Sequence, residues 1–246
     1  MPEFSAREMM IIAAARALRD EHNCFVGIGV PSVAANLARR LYNPSLMLIY
    51  ESGCIGAKPT RLPLSIGDSE LSDTSMTVVS VPEIFNYWLQ GGKVDVGFLG
   101  AAQIDRYGNL NSTVIGDYDH PTVRLPGAGG APDIAAFAKE VFVVLDQSVR
   151  SFVPELGFVT SVGHFAHGRT RHEWGLPGGG PTQVITNLGI LVPNEGELEL
   201  RWIHPSVELK DVRQHTGWDL KISPDLACTS EPEEWELKEL RRLEER

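Results

Sequence analysis

Leu46-Met47-Leu48-Ile49-Tyr50-Glu51-Ser52-Gly53-Cys54-Ile55-Gly56 is the stretch on which the fold turns. Leu46 to Tyr50 is a nearly unbroken apolar run, the pattern of a strand covered on both faces. It stops on a carboxylate, and Ser52-Gly53 then bends the chain. Open α/β sheets bind their ligands outside the carboxyl ends of the strands, which would put Glu51 at the mouth of a cleft. Two accounts of Glu51 stay open at this point. It is a reactive carboxylate, acting as nucleophile or general base, or it is a Glu that ends a strand and caps a turn.

The residues on either side extend the pattern. Ser5 and Glu8 form a capping box at the start of a helix expected to run to His22. Cys24 to Val30 reads as a strand, and Pro31 opens a helix to Leu41, since proline suits a first helical turn. Gly27-x-Gly29 lacks the third glycine of a dinucleotide site and the Lys of a P-loop, so a tight strand-to-helix turn accounts for it. Beyond Gly56, Ala57 to Thr74 is a long irregular loop. Met76–Val81, Val94–Leu99 and Glu140–Leu145 read as strands, with helices at Pro82–Gln90 and Pro132–Lys139. Gly127-Ala128-Gly129-Gly130 precedes the second of these helices, where glycines expose backbone N–H groups to a ligand.

This alternation predicts an α/β fold: a mainly parallel open sheet flanked by helices over residues of about 1–150. A β-rich and helical part follows over about 151–246, with antiparallel strands at Gln183–Thr186, Gly189–Val192 and Glu197–His204. Helices are expected at Val207–Gln214 and Glu231–Arg246, and Gly178-Gly179-Gly180-Pro181 reads as a flexible joint. The length of 246 residues suits one large domain spanning 1–246.

Composition narrows the function classes. The net charge of -10 argues against nucleic acid as a partner, because phosphate binding needs an electropositive face. No apolar run approaches the roughly 18 residues of a membrane span, and no secretory signal is visible, so a cytoplasmic protein is expected. Cys24, Cys54 and Cys228 form no CxxC pair, and Cys54 is read as pocket lining. His164, His167 and His172 lack further ligands at a convincing spacing, so no metal is expected. The charged C-terminal helix is read as a solvated face or a subunit contact.

Three stretches taken together resemble one family. They are Glu51-Ser52-Gly53, then Gly100-Ala101-Ala102-Gln103-Ile104-Asp105 with Tyr107-Gly108-Asn109-Leu110-Asn111, then Gly127-Ala128-Gly129-Gly130. Their order and spacing resemble the β subunits of class I CoA-transferases of the glutaconate type. Ile115 to Pro121, Gly175 to Pro181 and Thr216 to Asp219 extend the likeness over most of the chain. The resemblance implies a site shared with an α subunit in a heterotetramer, an acyl-CoA substrate, and no cofactor beyond the coenzyme A that the substrate carries. It implies that Glu51 carries the chemistry, with Ser52, Gly53, Gly127, Gly129 and Gly130 holding an oxyanion or the substrate. Gln103, Asn109 and Asn111 would offer amide hydrogen bonds to a thioester or to pantetheine, or would only build the turn at Gly108-Asn109.

Within that family, Ile49 to Pro59 is similar to a narrower group, the IpdAB type of sterol degradation. This likeness implies a subunit of a hydrolase that opens the ring of a cyclic β-keto acyl-CoA with water. In that case Glu51 would polarise or bind, and the partner would supply the main carboxylate. The alternatives are CoA transfer through a glutamyl-CoA thioester on Glu51, and a non-catalytic subunit that completes a partner's site.

Overall fold

Alternate residues of the central strands face opposite ways, and both faces are covered. The computed structural model describes residues 3–245. Ten strands form one sheet: β1 (Asn23–Val26), β2 (Met47–Ile49), β3 (Cys54–Ile55), β4 (Thr77–Val78), β5 (Val96–Gly100), β6 (Glu140–Val144), β7 (Pro181–Ile185), β8 (Gly189–Asn194), β9 (Glu197–Ile203) and β10 (Lys221–Cys228). Their order is β10-β9-β8-β7-β6-β5-β1-β2-β3-β4. β2, β1, β5, β6 and β7 run parallel. β3 and β4 fold back antiparallel beyond β2. On the far side β8 and β9 are antiparallel, and β10 lies parallel to β9.

Cys24, Val26, Val96, Phe98, Phe142 and Val144 pack on one face, under α1 (Ala6–Ala17), α2 (Val30–Leu41) and α4 (Glu234–Glu244). Phe25, Leu99, Val141 and Val143 pack on the other, under α3 (Ala131–Phe137) and the helical segment Val81–Leu89. This double cover is why these strands read as continuous apolar runs. At Gly97 a Cβ would come within 2.3 Å of Ile134 Cγ2, so the missing side chain is what lets α3 press onto β5.

Several elements differ from the expectation. The first helix has its capping box but ends at Ala17, five residues early, with Leu18 closing it. The expected helix 82–90 begins as α-helix over Val81–Glu83 and continues as π-helix over Ile84–Leu89. Its buried residues Ile84 and Leu89 are five apart, a spacing that suits i→i+5 winding. β10 was not anticipated, because only one side of it is covered and Pro224 interrupts its pattern.

The C-terminal helix is a core element rather than a solvated face. Leu237, Leu240 and Leu243 are buried against α1 and α2. Buried Glu236 accepts from Arg16 Nε (2.8 Å) and Nη2 (2.6 Å), and from the Tyr42 hydroxyl. Arg246, the last residue of the expected helix, lies outside the described residues. Gly178-Gly179-Gly180 is likewise tied down. Gly178 N and Gly179 N donate to Ala136 O and Lys139 O, and a Cβ on either residue would meet backbone oxygen at 2.3 Å. These glycines serve close packing, not flexibility.

Candidate active site

Glu51 sits at the tip of a hairpin, just past the carboxyl end of β2. Tyr50 N donates to Cys54 O and Gly53 N donates to Tyr50 O, each at 2.9 Å. Glu51 and Ser52 are therefore the two central residues of a tight turn, and Gly53 (φ +100°) completes it in the left-handed region. A type I turn followed by a left-handed glycine is a common three-residue hairpin connection. Gly53 is doubly required, since a Cβ there would lie 1.9 Å from Val79 O. The turn stands on Tyr50, which is fully buried and hydrogen-bonded through its hydroxyl to Ser32 Oγ (3.4 Å) and Asn36 Nδ2 (3.2 Å). Burial pushes the Tyr50 hydroxyl pKa up and keeps it neutral.

The glycine loop meets this turn across the end of the sheet. A Cβ on Gly129 would lie 3.8 Å from both Glu51 carboxylate oxygens, and one on Gly130 would lie 3.3 Å from Glu51 Cδ. The glycine loop from the chain's long irregular middle thus comes to the carboxylate that ends the Leu46–Tyr50 run. Gly127 anchors the loop: its N–H donates to Ser112 O and its carbonyl accepts from Ser112 Oγ, both at 2.9 Å. Ala131 N turns back to Ala128 O. Among the described residues, the Gly129 and Gly130 N–H groups donate to nothing, and no hydrogen bond ends on the Glu51 carboxylate. Half-buried Glu51 thus lies against a glycine loop whose Gly129 is exposed and whose Gly130 is buried.

The other expected site residues are placed differently. Ser52 Oγ donates to Cys54 Sγ at 3.6 Å. Cys54 is 3% exposed and belongs to the core beneath the turn rather than to a pocket lining. Asn109 Nδ2 donates to Asp105 Oδ2 (2.8 Å) and Phe165 O (2.9 Å), while its Oδ1 accepts from Gly163 N (2.7 Å). Asn111 Nδ2 donates to Gln103 Oε1 (3.0 Å) and Val114 O (2.7 Å), and its Oδ1 accepts from Thr113 N. Both donors of each buried asparagine are spent inside the fold. Gln103, half-buried, keeps one donor on Arg150 O at 3.3 Å. Asp105 accepts from Tyr107 N, Asn109 N and Asn109 Nδ2, and burial pushes its carboxyl pKa up.

His164, His167 and His172 do not converge. His164 is held by Pro181 O at 2.7 Å, and burial lowers its pKa. Among the described residues no group of three His, Cys, Asp or Glu side chains gathers at metal-binding distance. No helix among the described residues is long and apolar enough to cross a membrane.

One residue beside Glu51 escaped the sequence reading. Phe85 Cζ would lie 2.6 Å from a Cβ on Gly130, next to the same Glu51 Cδ. The five-residue spacing of Ile84 and Leu89 was its only trace in the sequence.

The chain is similar to known proteins over almost its whole length. The family model of coenzyme A transferases matches residues 7–215. The B subunit of the 3-oxoadipate CoA-transferase of Pseudomonas knackmussii is 57% identical over 248 aligned positions, covering all of this chain and 95% of that protein. The crystal structure of glutaconate coenzyme A-transferase from Acidaminococcus fermentans has a TM-score of 0.88 at 32% identity, covering 97% of this chain and 94% of that one. IpdAB of Rhodococcus jostii RHA1 has a TM-score of 0.78 at 22% identity, covering 98% and 94%, a likeness of fold alone.

Proposed function

The chain belongs to the coenzyme A transferase family, and from that premise we propose that it is the B subunit of an enzyme that moves coenzyme A between an acyl-CoA and a carboxylic acid through Glu51. The observation that carries this reading is the approach of the glycine loop to Glu51, whose carboxylate oxygens and Cδ lie 3.8 Å and 3.3 Å from the points that Cβ atoms on Gly129 and Gly130 would occupy. A Glu51 oxygen attacks the thioester carbonyl carbon, and coenzyme A leaves as thiolate. The thiolate then attacks Glu51 Cδ of the resulting mixed anhydride, releasing the donor's acid and leaving a glutamyl-CoA thioester. The acceptor carboxylate runs the two steps in reverse. Splitting the exchange this way replaces one difficult step with easier ones. Backbone N–H groups of the adjacent glycine loop would stabilise the negative oxygen that develops at each attack.

The 57% identity to one chain of a 3-oxoadipate CoA-transferase supports a 3-oxo dicarboxylic acid as the acid that is exchanged. That relative is itself the B subunit of its enzyme, which supports an A-type partner for this chain, in the heterotetramer that the sequence resemblance implied. Hydrolytic ring opening, implied by Ile49 to Pro59, has weaker support: the IpdAB likeness is 22% identical, against 57% for the transferase. No resident cofactor is proposed. The test is exchange kinetics of the chain assembled with an A-type partner. Transfer requires an acceptor acid and ping-pong rate behaviour; consumption of the thioester in buffer alone, with ring opening and retained CoA, would restore the hydrolase reading.

A further inference from the structure

We propose that Phe85 is a specificity-determining residue that keeps water from Glu51 Cδ and so holds the site to transfer rather than hydrolysis. This rests on the transferase reading above. The glutamyl-CoA thioester has one weak point, its carbonyl carbon Cδ. If water attacks there, the C–S bond breaks, coenzyme A leaves and takes up a proton, and Glu51 returns as a carboxylate. The net result is loss of the acyl-CoA with nothing transferred. A transferase therefore needs the space around Cδ filled whenever the acceptor is absent.

Phe85 fills part of that space. The point that a Cβ on Gly130 would occupy is 2.6 Å from Phe85 Cζ, 2.9 Å from Phe85 Cε1 and 3.3 Å from Glu51 Cδ. The ring tip and the electrophilic carbon thus border one small volume, and Gly130 leaves it free of any side chain of its own. Phe85 is half-buried, and its ring is backed by the buried Phe25 of β1, with centroids 5.8 Å apart. Phe25 stands on the central sheet, so the wall is anchored in the core rather than in a loop.

The local winding puts the ring there. Gln90 N donates to Phe85 O at 2.8 Å and Lys93 N to Trp88 O at 2.9 Å, both five residues apart in sequence. Ile84 and Leu89, both fully buried, hold this π turn against the sheet. With ordinary α winding Ile84 and Leu89, five residues apart, would sit about 140° apart round the axis, so the π turn is what brings both to the sheet. Gly91 permits the wide turn to close, as a Cβ there would meet Tyr87 O at 2.2 Å. π turns recur at functional sites, and this one aims an apolar ring at the proposed nucleophile.

Shortening the ring to Ala would leave a gap bordered by a carboxylate and by the backbone of the glycine loop. Such a gap is polar and roomy enough to hold water. The test uses the assembled enzyme with succinyl-CoA as donor probe and 3-oxoadipate as acceptor. Coenzyme A released without acceptor measures hydrolysis; acyl exchange with acceptor measures transfer. Phe85→Ala should raise the ratio of hydrolysis to transfer by about tenfold or more, and shorten the lifetime of the CoA adduct on Glu51 by the same factor. Phe85→Leu, which keeps most of the apolar volume and so guards against misfolding, should give a smaller rise in the same direction. If both rates fall together and the ratio stays within about twofold of wild type in both variants, Phe85 is only a packing residue. A wild-type enzyme that shows no CoA adduct on Glu51 would instead overturn the transferase reading, and the role of Phe85 with it.

Discussion

Two regions at the end of the central sheet carry most of the expected site residues, and they end in opposite physical states. The Glu51 turn and the Gly127–Gly130 loop are brought together with polar groups left open: a half-buried carboxylate that accepts no hydrogen bond and two N–H groups without acceptors among the described residues. The Asp105–Asn111 loop is closed. Asp105, Asn109 and Asn111 are at most 7% exposed, and their hydrogen bonds run to Tyr107, Gly163, Phe165, Gln103 and Val114. Residue type did not separate the two, because an asparagine suits a ligand as well as a turn. Satisfaction separates them. Polar groups that the fold has already paired cannot also hold a substrate without breaking a buried bond.

The largest effect should come from the open side. Glu51→Gln removes the nucleophile and keeps the shape of the turn. Turnover should fall by about 10⁶-fold, the scale of losing a covalent nucleophile, while thermal unfolding stays near wild type. A variant with near-normal rate would reduce Glu51 to a strand-end residue and erase the contrast.

Gly129→Val comes next. The left-handed φ of Gly129 (+49°) disfavours a branched side chain, and with its Cβ already in contact with both carboxylate oxygens, the added methyls have little room. Displacing the donors should cost roughly 3 kcal/mol of transition-state stabilisation, about 10²-fold in kcat. Unchanged kcat with unchanged thioester affinity would make the loop structural, like its counterpart.

Asn109→Ala should behave in the opposite way. It strands Gly163 N, Phe165 O and one Asp105 oxygen in the interior, for a stability cost of about 2 kcal/mol. Chemical denaturation of the purified chain measures this. In the assembled enzyme kcat should change by less than about threefold. A large loss of kcat with little loss of stability would move the closed loop into the active site.

The smallest effect is a pH dependence inside the closed loop. Burial raises the Asp105 pKa in the folded state. Its contribution to stability is therefore fully present below the unfolded carboxylate range, near 4, and is lost as pH rises through the folded value. Asp105→Asn cannot titrate. The stability of wild type relative to this variant should fall as pH rises above about 4, and a difference that rises with pH there would reverse the assignment.

The sequence made the parallel half of the fold legible because its strands are covered on both faces and its helices carry local start signals. The Ser5–Glu8 capping box and Pro31 at the opening of α2 need no tertiary context to be seen. Glu51 was legible for the same local reason, as a carboxylate and a glycine ending an apolar run. What could not be seen depended on distant packing. The Leu237-Leu240-Leu243 stripe looked like one side of a charged helix until α1 and α2 covered it, with Arg16 ion-paired to Glu236. Gly178 to Gly180 looked mobile because composition does not show the backbone of Ala136 to Lys139 pressed against it. Phe85 was hidden because a π turn differs from an α turn by one residue of phase.

The most direct test of the account is covalent. The chain assembled with its A-type partner would be incubated with acyl-CoA in the absence of acceptor, quenched, and examined by intact and peptide mass. The account predicts an adduct with the mass of coenzyme A less one water, mapping to Glu51, that disappears when an acceptor acid is added. An enzyme that turns over its thioester with no adduct on Glu51 at any time would contradict it.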